Sequence, residues 1–270
     1  MSLLNNVFKH KPFIIGMVHI GPLPGNPYFK KLEKSLEDII EKAINDAKAL
    51  EEGGVDGLIV ENFNDAPYPA TKADPATVAS MALVVKEVIR EVSIPVGVNV
   101  LRNCGIDSLA IAYVSGASYI RVNALSEVVV GPEGILSPLA YDLHRYRSLL
   151  GADNVAILAD VHVKHAAPLV HRGIDLVALE TIERGLADAV VVSGTYTGRE
   201  ARLEDVVKVR NSIPKEYPVI IGSGINADNV RKFLSVADGA IVGTYFKVDG
   251  KINVDRVKRL INIVRELRRI

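Results

Sequence analysis

Pro218-Val219-Ile220-Ile221-Gly222-Ser223-Gly224, followed about twenty residues on by Ala240-Ile241-Val242-Gly243-Thr244, is the part of the sequence that decides the fold. Each segment is a short apolar run that ends in glycine. Glycine lets the backbone turn sharply and approach a ligand closely, and the N–H groups freed there, backed by a following helix N-terminus, suit a phosphate. Two such turns one βα unit apart match the seat built by the loops after the seventh and eighth strands of a (β/α)8 barrel. The same glycines also match G-x-G-x-x-A across Gly222-Ser223-Gly224-Ile225-Asn226-Ala227, the dinucleotide fingerprint of an open doubly wound sheet. That fingerprint normally opens a nucleotide-binding half, whereas only two strands remain to be built here.

Outward from this pair, the chain repeats an amphipathic helical stretch, a small residue and a Val/Ile-rich run ending in polar residues. That alternation is expected of βα units around a buried parallel sheet. Strands are predicted at Phe13–His19, Gly57–Glu61, Pro95–Leu101, Tyr119–Asn123, Val155–Val163, Ala189–Ser193, Val219–Gly222 and Ala240–Gly243. Helical spacing covers Leu36–Glu52, Pro75–Val92, Gly105–Ser115, Leu139–Leu150, Ala166–Gly173 with Leu179–Gly185, Leu203–Ser212, Ala227–Val236 and Asp255–Arg269. Gly53-Gly54, Gly116 and Gly151 stand where C-terminal helix caps belong. The expected fold is α/β, a single TIM-barrel domain over residues 1–270 with residues 1–11 as an N-terminal extension.

Half of the chain is apolar, enough for a large core, and 32 basic side chains balance 32 acidic ones. No block of like charge stands out except Arg268-Arg269, so nucleic-acid binding and a polybasic membrane anchor find no support. The segment Met1–Lys11 lacks a signal-peptide core and no apolar run has the length of a membrane span, which makes a cytoplasmic protein the expectation. A lone cysteine, Cys104, excludes an internal disulfide and a multi-thiolate metal site within one chain. No flavin or nicotinamide cofactor is expected. Barrels often dimerise, so a homo-oligomer is compatible with the chain, but no segment marks an interface.

In a barrel the reacting groups stand at the C-terminal ends of the strands. The richest end is Asp160-Val161-His162-Val163-Lys164-His165, where period-two alternation puts Asp160, His162 and Lys164 on one face. A carboxylate beside an imidazole tunes its proton, and a desolvated lysine can serve as base or imine-forming nucleophile. The competing reading is an Asp160–Lys164 ion pair that only closes the barrel top. His19 ends strand one before the preshaped loop Ile20–Pro27, and Glu61-Asn62 ends strand two. Asn99, Arg102, Asn123, Ser193 and Thr195 are candidate substrate contacts at further strand ends, amides being suited to hydroxyl-rich ligands or to pinning loop backbone. Asp160, His162, Glu61 and His19 could alternatively hold a divalent metal. Gly222, Ser223, Gly224, Gly243 and Thr244 are the expected phosphate contacts.

Six blocks resemble the BtpA/SgcQ family: Gly16-Met17-Val18-His19-Ile20-Gly21-Pro22-Leu23-Pro24-Gly25, Asp56–Phe63, Asn99–Asn103, Tyr119–Asn123, Ala159-Asp160-Val161-His162-Val163-Lys164-His165 and Ile221–Gly224. The resemblance runs from about residue 10 to the end and implies a TIM barrel. The family takes its name from a cyanobacterial factor needed for photosystem I accumulation. Its other named branch is similar to a protein from a sugar-metabolism gene cluster, which implies a carbohydrate substrate. The resemblance supplies no catalytic residues. The residues themselves point to an enzyme acting on a phosphorylated small molecule, a sugar phosphate or a phosphoribosyl-type metabolite, by isomerase, aldolase or lyase chemistry. A noncatalytic assembly factor and a ligand-binding regulator are the alternatives.

Overall fold

The structure, a computed structural model, describes residues 2–268. Eight parallel strands close into a barrel, β1 (Phe13–His19), β2 (Gly57–Glu61), β3 (Val96–Asn99), β4 (Tyr119–Val122), β5 (Ala156–Val161), β6 (Ala189–Val192), β7 (Val219–Ile221) and β8 (Gly239–Val242). Each strand pairs with its sequence neighbours, and β8 pairs with β1 to complete the ring. The helices between and after them are α1 (Leu36–Gly53), α2 (Pro75–Glu91), α3 (Gly105–Ser115), α4 (Ala140–Leu150), α5 (Ile174–Glu183), α6 (Leu203–Ser212), α7 (Val230–Leu234) and α8 (Val254–Leu267). The fold is therefore the expected TIM barrel, with β7 and β8 at the two glycine turns.

Local chemistry explains where the elements begin and end. Ser35 and Asp38 form a reciprocal capping box at the start of α1, and Asp74 caps α2 ahead of Pro75. Gly54, Gly116 and Gly151 are left-handed caps after α1, α3 and α4. Two helical expectations are corrected. The stretch Ala166–Gly173 is not helical: Ala167–Pro168 pairs with Val129–Gly131, which also pairs with Gly134–Leu136, and the helix starts at Ile174. Pro168 lacks the N–H a helix interior needs. The predicted helix Ala227–Val236 shortens to α7, because the Asn226 side chain accepts from the Asp228 and Asn229 N–H groups and holds a turn first. Of the predicted last helix, Arg269 lies outside the described residues.

Strand side chains alternate between two cores. One face packs against the helices, through residues such as Ile14, Val60, Ile120 and Val190. The other fills the barrel with Phe13, Ile15, Met17, Ile59, Tyr119, Leu158, Val191, Ile220 and Ile241. Phe8, from the N-terminal extension, stacks on Phe13 at 4.4 Å between ring centroids, and Leu4 is fully buried beside it. The extension thus plugs the N-terminal end of the barrel. Among the described residues no helix is long and apolar enough to cross a membrane.

Candidate functional site

The inward alternation that packs the barrel also builds its mouth. One step beyond Met17, Ile59 and Leu158 the same faces carry His19, Glu61 and Asp160, and beyond Tyr119 comes Arg121. Arg121 is 2 % exposed, a guanidinium lodged in the barrel interior. Asp160 accepts from Arg121 Nε (3.0 Å) and Nη2 (2.8 Å) and from Asn123 Nδ2 (2.6 Å). These three bonds neutralise the cation and consume the carboxylate. Asp160 therefore supports the floor of the mouth and lines neither of the two cavities above it, contrary to its expected place there.

Two cavities meet above this floor. The first, about 200 Å³, is lined by Gly222, Ser223, Gly224, Gly243 and Thr244, the five expected phosphate contacts, together with His19 and Gly198. Gly224 takes the left-handed conformation at φ +76°, and its N–H has no hydrogen-bond partner among the described residues. A side chain there would strike the Arg199 and Glu200 backbone. The second cavity, about 470 Å³, has the apolar walls Phe63, Pro67, Tyr68, Leu101 and Pro132, and the polar groups Asn99, Arg102, Asn123 and Glu133. Glu61, Arg121, Lys164 and Thr197 line both. Lys164 is thus the amine at the junction.

Charge at the junction shifts the protonation of the groups gathered there. Burial, reinforced by the Arg121 cation, brings the Lys164 ammonium down to about 8. Burial, followed by the charges of Lys247 and Lys164, holds the His19 imidazole well below its ordinary value, so the ring is neutral. Lys247 Nζ lies 2.7 Å from His19 Nδ1, and an ammonium can only donate there. The proton of the neutral ring is then on Nε2, which faces Glu61 Oε1 at 3.7 Å. Glu61 Oε2 accepts from Asn99 Nδ2 at 2.5 Å. His19 also stacks on Phe63 at 4.4 Å, which fixes its plane.

Other expected site residues lie elsewhere. β5 ends at Val161, and His162 takes a left-handed conformation at φ +48° while its N–H donates to Glu127 Oε1 at 2.6 Å. This turn breaks the period-two alternation, so His162 faces a separate outer cavity with Ser193 and Thr195, away from Lys164. Asn62 is also removed from the mouth: its Oδ1 accepts from Leu101 N–H at 2.8 Å and its amide donates to Asp65, so it pins loops. With Asp160 consumed and His162 turned away, the proposed metal set does not assemble. Among the described residues no three His, Cys, Asp or Glu side chains converge to hold a metal ion. Lys247, Phe63, Tyr68 and Glu133 belong to or support the mouth and were absent from the expected set. Arg121 and Thr197 had readable signals, a charge interrupting an apolar run and a hydroxyl- and glycine-rich strand end, Ser193–Gly198.

A model of the BtpA family matches residues 9–266. The chain belongs to the BtpA family. It is 45% identical over 253 residues to the photosystem I biogenesis protein BtpA of Synechocystis, covering 94% of this chain and 86% of the relative. An uncharacterised protein of Methanocaldococcus jannaschii is 44% identical over 266 residues, 97% of this chain and 98% of the relative. Among solved structures, thiamine phosphate pyrophosphorylase of Pyrococcus furiosus superposes with a TM-score of 0.58 at 20% identity, covering 96% of this chain and 98% of that one. N-(5'-phosphoribosyl)anthranilate isomerase of the same organism gives 0.59 at 16% identity, covering 94% and 98%. At such identities these likenesses show the barrel fold that the BtpA family shares with enzymes of phosphorylated metabolites.

Proposed function

We propose that this BtpA-family barrel is an enzyme that seats a phosphorylated small metabolite on the turns after β7 and β8 and transforms it beside Lys164. The observation that supports this most is the position of the Lys164 amine, at the junction of the glycine-lined cavity and the larger one. The Gly224 N–H is free to donate, whereas the Gly222 N–H donates to Val192 O and the Ser223 hydroxyl to Arg199 O; Thr244 stands in the same lining. A phosphate held there leaves the adjoining carbons next to Lys164 and Glu61.

Near pH 8 a substantial share of Lys164 is the free amine. It can add to a substrate carbonyl and expel water to form a protonated imine, which withdraws electrons from the neighbouring carbon. Glu61 is placed to take or return a proton there, with the His19 Nε2–H beside it. Isomerisation, aldol cleavage and elimination share this arrangement. A borohydride trap tests it. Incubation with ribose 5-phosphate and borohydride should add the reduced sugar phosphate to the Lys164 peptide. The adduct should be suppressed by inorganic phosphate and absent from Lys164→Arg. An adduct on other lysines alone would remove the imine role.

A second reading rests on the Synechocystis relative and its name. A noncatalytic assembly role would leave a doubly substituted Glu61→Gln, Lys164→Met protein fully functional in a cell that requires the native chain. Loss of function in that variant with folding intact would sink it.

A further inference from the structure

The larger cavity carries information that a phosphate seat alone does not. At about 470 Å³ it falls by itself within the roughly 300–1,000 Å³ of small-molecule sites, before the phosphate lobe is added. Its walls are mostly flat and apolar: Phe63, Pro67 and Tyr68 from the loop after β2, Leu101 after β3 and Pro132 after β4. A sugar chain bears a hydroxyl on nearly every carbon and would strand those groups against such walls. A planar ring would bury its faces there without that penalty.

One side of the same cavity is polar and incomplete. Asn99, 1 % exposed, gives its amide N–H to Glu61 and leaves Oδ1 without a partner among the described residues. Arg102, 3 % exposed, is spent at Nη2 on the Lys164 carbonyl, while its Nε has no hydrogen bond. Glu133 Oε2 stands 3.7 Å from that Nε, an ion pair beyond hydrogen-bond length. Asn99 Oδ1, Arg102 Nε and Glu133 Oε2 are therefore enclosed in this wall without a hydrogen bond, and a polar wall short of partners is one that a ligand can complete when its side chains shift.

Resting on the phosphate-seat reading above, we infer that the substrate is a monophosphate bearing a planar heterocyclic ring, nucleotide-like in size, and not a simple sugar phosphate. The ring lies between Tyr68, Phe63 and Pro132. Its edge turns to the polar wall of Asn99, Arg102 and Glu133. The carbons that link ring and phosphate cross the junction past Lys164 and Glu61, where a carbonyl among them would meet the amine, and the ring serves as a recognition element.

Calorimetric titration of the full chain tests this with inorganic phosphate, ribose 5-phosphate and the four common ribonucleoside 5'-monophosphates. At least one nucleotide should bind about tenfold or more tighter than ribose 5-phosphate, the gain expected from burying one ring face. Tyr68→Ala should erase most of that advantage, and Glu133→Gln, which leaves the apolar walls intact, should change the ranking among the four rings. Both variants should keep the affinity for ribose 5-phosphate. If ribose 5-phosphate binds in competition with phosphate and every nucleotide binds no better, the ring inference falls while the phosphate seat stands. If none of the phosphorylated probes binds, the phosphate seat falls and the ring inference with it.

Discussion

Replacing Lys164 with methionine should make the protein more stable while abolishing its chemistry. The amine is held at about 8, against an ordinary lysine value near 10.4, so the fold disfavours its charged form by about 3 kcal/mol if the whole displacement counts. Water in the mouth still reaches the side chain, and that screening reduces the expected gain to about 1–2 kcal/mol at pH 7. For a chain of this size that corresponds to a rise of about 2–4 °C in Tm. The sign follows from linkage. The unfolded chain binds this proton more tightly, so the penalty is fully present below about pH 8 and disappears as pH rises from there towards 10.4. Calorimetric melting of native protein and Lys164→Met from pH 7 to 10.5 should show a gap that closes with rising pH. A variant that is less stable at pH 7, or a gap that does not change with pH, would refute the burial argument.

Asp160→Asn should cost about 3–5 kcal/mol in chemical denaturation, because it leaves the buried Arg121 cation without its counter-charge. Gly224→Ala should lose more stability than the roughly 1–3 kcal/mol that its left-handed backbone costs, because the methyl also strikes the Arg199 and Glu200 backbone, and its phosphate affinity by calorimetric titration should fall further than that of Ser223→Ala. His162→Ala should retain activity within about twofold in a turnover assay, since the ring faces the outer cavity. A drop as large as that of Lys164→Met would restore His162 to the mouth.

The barrel was legible because buried parallel strands are written as uninterrupted β-branched runs, and all eight runs lie where strands formed. The glycine-lined cavity was equally readable, since its determinants are local turns of the backbone at Gly222–Gly224 and Gly243. The mouth was readable only as far as alternation holds. It carries His19, Glu61 and Asn99 inward correctly, but fails after Val161, where Glu127, distant in sequence, captures the His162 N–H. Lys247 gave no signal at all: it reaches His19 across 228 residues of chain, from a short hairpin after β8 whose sequence resembles any exposed turn. Lys164 is a mixed case. Its strand-end position drew attention, but its access to the mouth depends on the turn that removes His162 from it.

The side chains that fill the barrel, with Leu4 and Phe8 of the extension beneath them, make the vessel blind at one end. A molecule held in the mouth, as proposed above, therefore arrives and departs at the C-terminal ends of the strands. Excising residues 2–8 would wet Phe13 and Tyr119 at the base, while the layers above them still shield the Arg121–Asp160 pair. The extension thereby guards the outermost layer of a wall that is several side chains thick.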